Sequence, residues 1–225
     1  AKRIIYAASS QDTPFPLAWE LKFKDMLQKT DSVVGIREKK LADYVYEVCG
    51  SKYPVVADPT ILAGKDILDL IQTGQKIHSS YILIYQIDAN PYSDVSVRTL
   101  EKRFKCPVYT MTVPRLGSIH GRKGEVGPEK FLNLLKNAKF LVTNSFHGIA
   151  LSLLYEKQFF VYDNGGVMSR IDGLLQQTGL LDRKIKVVGD IDPQQKIDYS
   201  RVRGIIEELQ VSSRIFLHEA LQGKQ

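Results

Sequence analysis

A chain of 225 residues is long enough for two small domains or one large one, and we take two as the expectation. The hydrophobic fraction of 44% and the charged fraction of 25% are ordinary for globular proteins, which excludes disordered, collagen-like and coiled-coil chains. The formal net charge of +6 favours anionic partners, but the basic residues are scattered without an aromatic-interleaved stripe, so we expect no nucleic acid binding.

Apolar runs rich in β-branched and aromatic residues alternate with segments of helical period along the chain. This alternation is typical of a parallel sheet covered by helices, and it predicts an α/β fold. In chain order the predicted strands are residues 3–8, 32–36, 54–57, 81–87, 107–110, 140–143, 159–162 and 185–188. The predicted helices are residues 16–29, 39–48, 95–104, 127–136, 148–155, 171–180 and 199–221.

A polar run at residues 72–80 interrupts this alternation after a helix of moderate period and before a very apolar strand. We therefore predict that residues 1–62 are the closing part of an N-terminal α/β domain, that 63–80 form a linker, and that 81–225 form a doubly wound second domain with a long C-terminal helix. Because the chain lacks an initiator Met and enters a strand almost at once, we expect that the N-terminal part of the first domain is missing.

The apolar runs of the chain are short. None approaches the ~20 residues needed to cross a bilayer, so at most a peripheral association with a membrane is expected. Cys49 and Cys106 are too few and too far apart for a disulfide framework or a metal site, which indicates a reducing compartment. We therefore expect a cytoplasmic protein, at most associated with the inner membrane face, without a metal or other cofactor.

The most informative segment is residues 139–157, where an apolar strand runs through Asn144-Ser145-Phe146-His147-Gly148 into a helix. Ligands of open α/β sheets bind at the carboxyl ends of strands, and a helix N-terminus attracts anions. His147 is thus placed where a phosphate or carboxylate would bind, although a turn imidazole bonded to a carbonyl explains it equally well. Asn144 and Ser145 are also favoured helix N-caps.

Two arginines follow other predicted strands. Arg37 directly follows the strand at 32–36, and Arg170 follows the Gly-rich turn after the strand at 159–162. A single such arginine is usually just solvated, and their joint placement at strand ends is what indicates a functional role. Asp58 with the following proline most simply forms an N-cap and first helical turn. The long loop at 113–128 is basic and is a candidate clamp for an acceptor substrate.

Several motifs of the chain, in this order, resemble the polysaccharide pyruvyl transferase family over nearly its whole length. The motifs are R-E at Arg37-Glu38, D-P-T at Asp58-Pro59-Thr60, V-G-P-E-x-F at 126–131, T-N-S-F-H-G at 143–148, S-R-I at 169–171 and G-L-L-D-R at 179–183. T-N-S-F-H-G is the most diagnostic of them. The resemblance implies a fold like that of GT-B glycosyltransferases, with two facing Rossmann-like domains and the substrates bound between them.

The resemblance also implies an activity, which is transfer of the pyruvyl group of phosphoenolpyruvate to two hydroxyls of a sugar, with formation of a cyclic ketal and release of phosphate. The acceptor would be a sugar or lipid-linked oligosaccharide used to make a cell-surface polysaccharide. Arg37 from the first domain and Arg170 from the second would bind the donor from two sides, and Asn144, Ser145 and Gly148 would help to bind it. His147 would protonate the methylene carbon as general acid, or alternatively stabilise the departing phosphate.

One feature of the family is missing from this chain, namely an N-terminal segment with a Gly-Asn and Gly-Asp loop near the substrates. Two other interpretations of the sequence stay open. One is a nucleotide-sugar-dependent glycosyltransferase of the GT-B type, which shares the architecture and a basic phosphate site. The other is a non-catalytic carbohydrate-binding relative.

Overall fold

A computed structural model describes residues 3–10, 13–29, 31–71, 80–87, 94–112, 118–119, 122–123, 126–163, 168–192 and 194–223. The strands are β1 (Ile4–Ala8), β2 (Val33–Ile36), β3 (Ile82–Gln86), β4 (Val108–Thr112), β5 (Ser118–Ile119), β6 (Arg122–Lys123), β7 (Phe140–Thr143), β8 (Gln158–Tyr162) and β9 (Lys184–Ile185). The helices are α1 (Leu17–Gln28), α2 (Lys39–Cys49), α3 (Pro59–Leu70), α4 (Asp94–Phe104), α5 (Pro128–Asn137), α6 (Phe146–Leu154), α7 (Ser169–Thr178) and α8 (Tyr199–Gln222), with 3-10 turns at Leu181–Arg183 and Val188–Asp190.

The predicted α/β class is confirmed, because helices alternate with strands that pair in parallel. Two predicted strands differ most from the expected bounds. Residues 54–57 make one parallel bridge, between Ile36 and Val55, since Pro54 has no N–H to donate to a ladder. The strand predicted at 185–188 ends at Ile185, and a 3-10 turn follows from Val188.

The described residues group into two compact units. Unit 1 comprises residues 1–62, 167–178 and 203–225, and unit 2 comprises residues 63–166 and 179–202. Residues 167–178 and 203–225 group with unit 1 through packing, since α7 contacts α2 and the end of α8 contacts β2. The domain division expected from the sequence, with a boundary at 63–80, stays a prediction.

Unit 1 is built on the parallel pair β1 and β2. One side of the pair buries apolar side chains against α2, including Val34, Leu41 and Val45. On the other side, Phe216 of α8 packs against Val33 and Val56. Gly35 permits this close approach, because a Cβ at that position would lie 3.0 Å from the Phe216 ring.

Unit 2 contains a five-stranded sheet in the order β4-β3-β7-β8-β9, in which all neighbours are parallel. In chain order these strands are the second, first, third, fourth and fifth of the sheet, so the direction of winding reverses between β3 and β7. In doubly wound sheets of this order the ligand binds outside the carboxyl ends of the strands at that reversal. The topology therefore selects the carboxyl ends of β3 and β7 as the place to search for a site.

The longest helix described, α8, has 24 residues and mixes charged with apolar side chains. Its buried side chains include Val202, Ile206, Phe216 and Ala220. Within the described parts of the chain, no helix combines the length and the apolar character needed to cross a membrane.

Candidate functional site at the carboxyl ends of the strands

The turn that follows β7 is held by its own side chains. The strand from Phe140 to Thr143 is buried, and the Ser145 N–H donates to Thr143 Oγ1 at 3.0 Å. Ser145 then caps α6, because its Oγ accepts a hydrogen bond from the Gly148 N–H at 3.3 Å. The capping role predicted for Ser145 is confirmed. Since Ser145 and Gly148 bond to each other in a buried position, the contacts of both residues are those of a structural cap.

Gly148 has a steric reason to be glycine. A Cβ at this position would lie 2.6 Å from Thr143 Oγ1 and 3.1 Å from Thr143 Cγ2. Thr143 is fully buried, and its hydroxyl already bonds the Ser145 N–H. Thr143 cannot move away without breaking that contact, so glycine allows α6 to begin directly on the end of β7.

We expect Gly148→Ala to lower the free energy of unfolding by about 1–3 kcal/mol, which is typical of overpacking in a closely packed interior. Chemical denaturation of the wild type and the variant measures this difference. Gly204→Ala is the matched control, because Gly204 lies in α8 with no atom within 4 Å of the added Cβ. That control should gain about 0.5–1 kcal/mol, as alanine is the better helix former. Equal effects of the two substitutions would contradict the steric argument.

Asn144 links the two strand ends at the reversal of the sheet. Its Oδ1 accepts a hydrogen bond from the Ile87 N–H, which follows β3, at 3.0 Å. The side-chain amide is thereby oriented with its oxygen toward β3, and its Nδ2 donors point away from that bond. The sequence made Asn144 a candidate N-cap of α6, but Ser145 takes that position. Asn144 instead joins the carboxyl ends of β3 and β7.

His147 lies in the first turn of α6, at the carboxyl edge of the sheet, and is exposed to solvent. The N-terminus of a helix carries a partial positive charge of about half an elementary charge, which favours an anionic ligand. The Phe146 ring, which is buried, contacts the imidazole edge to face at 5.6 Å between centroids. An exposed imidazole at the positive end of a helix is positioned to meet an anion from solution.

Gln86 is a polar residue of this edge that sequence analysis did not select. It is the last residue of β3, only 1% of its surface is exposed, and its Nε2 has no hydrogen-bond partner among the described residues. In the sequence, Gln86 stands out as the one strongly polar side chain of the predicted strand at 81–87. Its burial could not be inferred from the sequence, because a polar residue at a strand end is usually solvated.

Unit 1 has its own polar cluster at the carboxyl ends of β1 and β2. Arg37 donates from Nε to Glu38 Oε1 at 2.8 Å, from Nη1 to Asp58 Oδ2 at 2.5 Å and from Nη2 to Ser9 Oγ at 2.6 Å. Ser9 Oγ in turn donates to Glu38 Oε1 at 2.7 Å. A bulge in β1 precedes Ser9, with Ala7 in the left-handed region at a φ of 55°. The cluster thus ties the ends of three neighbouring chain segments.

The charges of this cluster sum to about minus one, from the two carboxylates and the guanidinium. Glu38 is 7% exposed and Asp58 is 3% exposed, and Arg37 supplies a positive charge that is paired with both of these buried carboxylates. Burial alone would lower the pKa of Arg37, but its hydrogen bonds to Glu38 and Asp58 and their charges outweigh burial and raise that pKa above its ordinary value. Arg37 is therefore a structural cation, whatever else it binds.

The predicted capping role of Asp58 is also confirmed. Its Oδ1 accepts from the Thr60 N–H at 2.8 Å, and α3 begins at Pro59. The same carboxylate uses Oδ2 for Arg37. One side chain thus joins the start of α3 to the end of β2.

Arg170 lies in the first turn of α7 and is half-buried. It belongs to unit 1, like Arg37, and not to the unit that contains His147. The assignment of Arg37 and Arg170 to different domains stays a prediction. Most of the Gly-rich turn before α7 lies outside the described residues. In the basic loop at 113–128, Arg115 and His120 also lie outside them, whereas Arg122 and Lys123 form β6.

The predicted site residues therefore fall into two sets, each with its own surroundings. Asn144, Ser145, His147 and Gly148 share one turn of unit 2, at the strand ends that the topology selects. Arg37 and Arg170 belong to unit 1, where they follow β2 and begin α7.

Two solved structures share a distant likeness with the chain. The chain is similar to the dodecameric iron-containing heptosyltransferase TibC solved in complex with ADP-D-beta-D-heptose, with a TM-score of 0.39 and 10% identity over 93% of this chain and 76% of that one. It is also similar to the dodecameric glycosyltransferase TibC from enterotoxigenic E. coli H10407, with a TM-score of 0.33 and 11% identity over 100% of this chain and 81% of that one. Likenesses this distant carry no functional argument.

No curated protein matches the chain. The model of one protein family does, and it is described as polysaccharide pyruvyl transferase, with residues 1–166 matched. The match includes the turn after β7 and the Arg37 cluster, and it covers well over half of the sequence. This chain therefore belongs to the polysaccharide pyruvyl transferase family.

Proposed function

We propose that this chain transfers the pyruvyl group of phosphoenolpyruvate to two hydroxyls of a sugar, in a cell-surface polysaccharide or its precursor, and releases phosphate. The observation that carries the proposal is the placement of His147 in the first turn of α6, at the reversal point of the unit 2 sheet, in a member of this family. Phosphoenolpyruvate is a small, multiply charged anion, and the positive end of a helix favours such a ligand.

The reaction needs a proton at the methylene carbon of the donor. In the proposed mechanism, the protonated imidazole of His147 gives its proton to that carbon, which becomes a methyl group and leaves the adjacent carbon electrophilic. A sugar hydroxyl forms a C–O bond to this electrophilic carbon, and its proton returns to the imidazole. The bond from that carbon to the phosphate oxygen then breaks, and a second hydroxyl forms a C–O bond to the same carbon and closes the ring, while its proton leaves with the phosphate. A positioned general acid typically contributes ~10²–10⁴-fold to such a step.

The surroundings of His147 support this role physically. The Ser145 cap and the close Gly148 contact fix the start of α6 on β7, so the imidazole is carried by a rigid turn. Asn144 ties that turn to the end of β3, because its Oδ1 accepts a hydrogen bond from the Ile87 N–H. The resemblance also assigns donor binding to Arg37 and Arg170, and each of these assignments needs its own substitution test.

Binding and turnover test the proposal separately. At a concentration 100 times its Kd, phosphoenolpyruvate should stabilise the protein by about 2.7 kcal/mol, measured as a rise in Tm. Incubation with phosphoenolpyruvate and a galactose- or mannosamine-containing acceptor should release phosphate and add the mass of a pyruvyl ketal to the acceptor. Stabilisation by nucleoside diphosphates and not by phosphoenolpyruvate would instead favour a nucleotide-sugar-dependent glycosyltransferase. Binding without a mass gain on any acceptor would favour a carbohydrate-binding relative.

A further inference from the structure

Gln86 has a buried amide nitrogen that the fold itself does not use. The residue is the last of β3, is 1% exposed, and its Nε2 makes no hydrogen bond within the part of the chain that the structure describes. Nearly all buried polar groups in native proteins are paired, and each exception calls for an explanation. The apolar side chains Ile82 and Ile84 share its side of β3, so nothing in that row can accept from it.

The position of Gln86 in the sheet places it beside the candidate site. Tyr85 pairs with Thr143, so the next residues along the two strands, Gln86 and Asn144, are neighbours across the β3–β7 boundary. Asn144 crosses this boundary to bond the N–H of Ile87, the residue after Gln86. The unpaired donor therefore lies at the reversal of winding, where a doubly wound sheet binds its ligand, and next to the turn that leads into α6.

We propose that Gln86 is a ligand-binding residue of this site, and that its side-chain amide donates a hydrogen bond to an oxygen of the bound phosphoenolpyruvate. This inference rests on the proposed function, which supplies the anion. A carboxylate or phosphate oxygen is the partner that a neutral donor binds most strongly, since hydrogen bonds to charged groups are about twice as strong as those between neutral groups. The amide adds no charge, so it can be buried without a counterion.

An unpaired buried donor also affects the stability of the free protein. In the free protein the Nε2 of Gln86 carries a desolvation cost that no hydrogen bond within the described residues offsets. Methionine has nearly the same shape and no donor, so Gln86→Met should leave the Tm of the free protein equal to or above that of the wild type. The same substitution should weaken the binding of phosphoenolpyruvate by about 10- to 100-fold, the usual effect of losing a hydrogen bond to a charged group.

Gln158→Met is the matched control, because Gln158 is a glutamine at the other end of a strand of the same sheet. Its Nε2 donates to the Ile197 carbonyl at 3.3 Å, and its Oε1 accepts from the Ile197 N–H at 2.7 Å. Its loss should lower the Tm and leave the affinity for phosphoenolpyruvate unchanged, which is the opposite pattern. Gln86→Glu is a third variant. It replaces the donor by a carboxylate that repels an anion, so it should bind phosphoenolpyruvate at least as weakly as Gln86→Met.

Isothermal titration with phosphoenolpyruvate, and with inorganic phosphate as a simpler probe, measures the affinities, and thermal unfolding measures the Tm. Wild-type binding with an unchanged affinity in Gln86→Met or Gln86→Glu would overturn the inference and leave the proposed function intact. A fall in the Tm of Gln86→Met without a change in affinity would do the same, since it would show that the amide is paired within the fold, for example to a buried water. Failure of the wild type to bind phosphoenolpyruvate would overturn both.

Discussion

Replacing His147 by alanine is expected to lower the rate of pyruvyl transfer by about 10²- to 10⁴-fold, because the proton donor to the methylene carbon is lost. The Tm should change little, since the imidazole is exposed and the cap of α6 is made by Ser145. Phosphate release in the presence of acceptor measures the rate. His147→Gln should be as slow as alanine, because an amide can hydrogen-bond the donor but cannot transfer a proton at neutral pH.

His218→Ala is the control for this experiment. His218 is another exposed histidine, on α8, where its Nε2 contacts Gln222 Nε2 at 2.7 Å. Its removal should leave the rate unchanged. Substantial activity in His147→Ala would remove His147 from the mechanism, and activity kept only in His147→Gln would assign it to binding of the departing phosphate instead of proton transfer.

A second large effect is expected for Arg37, on stability. Arg37→Met should lower the free energy of unfolding by about 3–5 kcal/mol, because it removes the cation that is paired with the buried carboxylates of Glu38 and Asp58. Urea denaturation measures the loss. Arg214→Met is a suitable control, since that arginine is exposed and makes one long contact, from Nη2 to the Leu62 carbonyl at 3.5 Å. Surface changes of this kind usually fall within about 0.5 kcal/mol.

A loss of activity in Arg37→Met would therefore not by itself show that Arg37 binds the donor. The triple variant Arg37→Met, Glu38→Gln, Asp58→Asn removes both carboxylate charges together with the cation. Asparagine keeps the capping of Thr60, so most of the stability should return. If the triple variant is stable but binds phosphoenolpyruvate weakly, Arg37 has a role in donor binding. If its affinity recovers along with its stability, the role of Arg37 is structural. An unchanged stability of Arg37→Met alone would contradict the proposed cluster.

Local structure was predictable from local pattern. The strand at 140–143 has the predicted bounds, and α2 and α5 begin within one residue of where periodicity places them. Hydrophobic period and capping chemistry act over a few residues, so sequence reveals them directly. For the same reason the Ser145 cap and the start of α3 after Asp58 were predicted correctly.

The surroundings of the predicted residues were not predictable in the same way. Sequence placed Arg37 at a strand end but could not show that Ser9 and Asp58, 28 and 21 positions away, would bond its guanidinium. Nor could it show that Gln86 would be buried without a partner. Both facts depend on which segments become neighbours, and that is set by the pairing of strands distant in the chain.

By itself, the sequence determined the α/β class, most of the strands and helices, the turn that carries His147 and the family. Only the tertiary structure decided that β3 lies beside β7, so that Gln86, Asn144 and the start of α6 share one edge, and that residues 167–178 and 203–225 group with unit 1. The reason is that periodicity and caps are written in consecutive residues, whereas strand order and the charge balance of a buried cluster arise from contacts made only when distant segments pack.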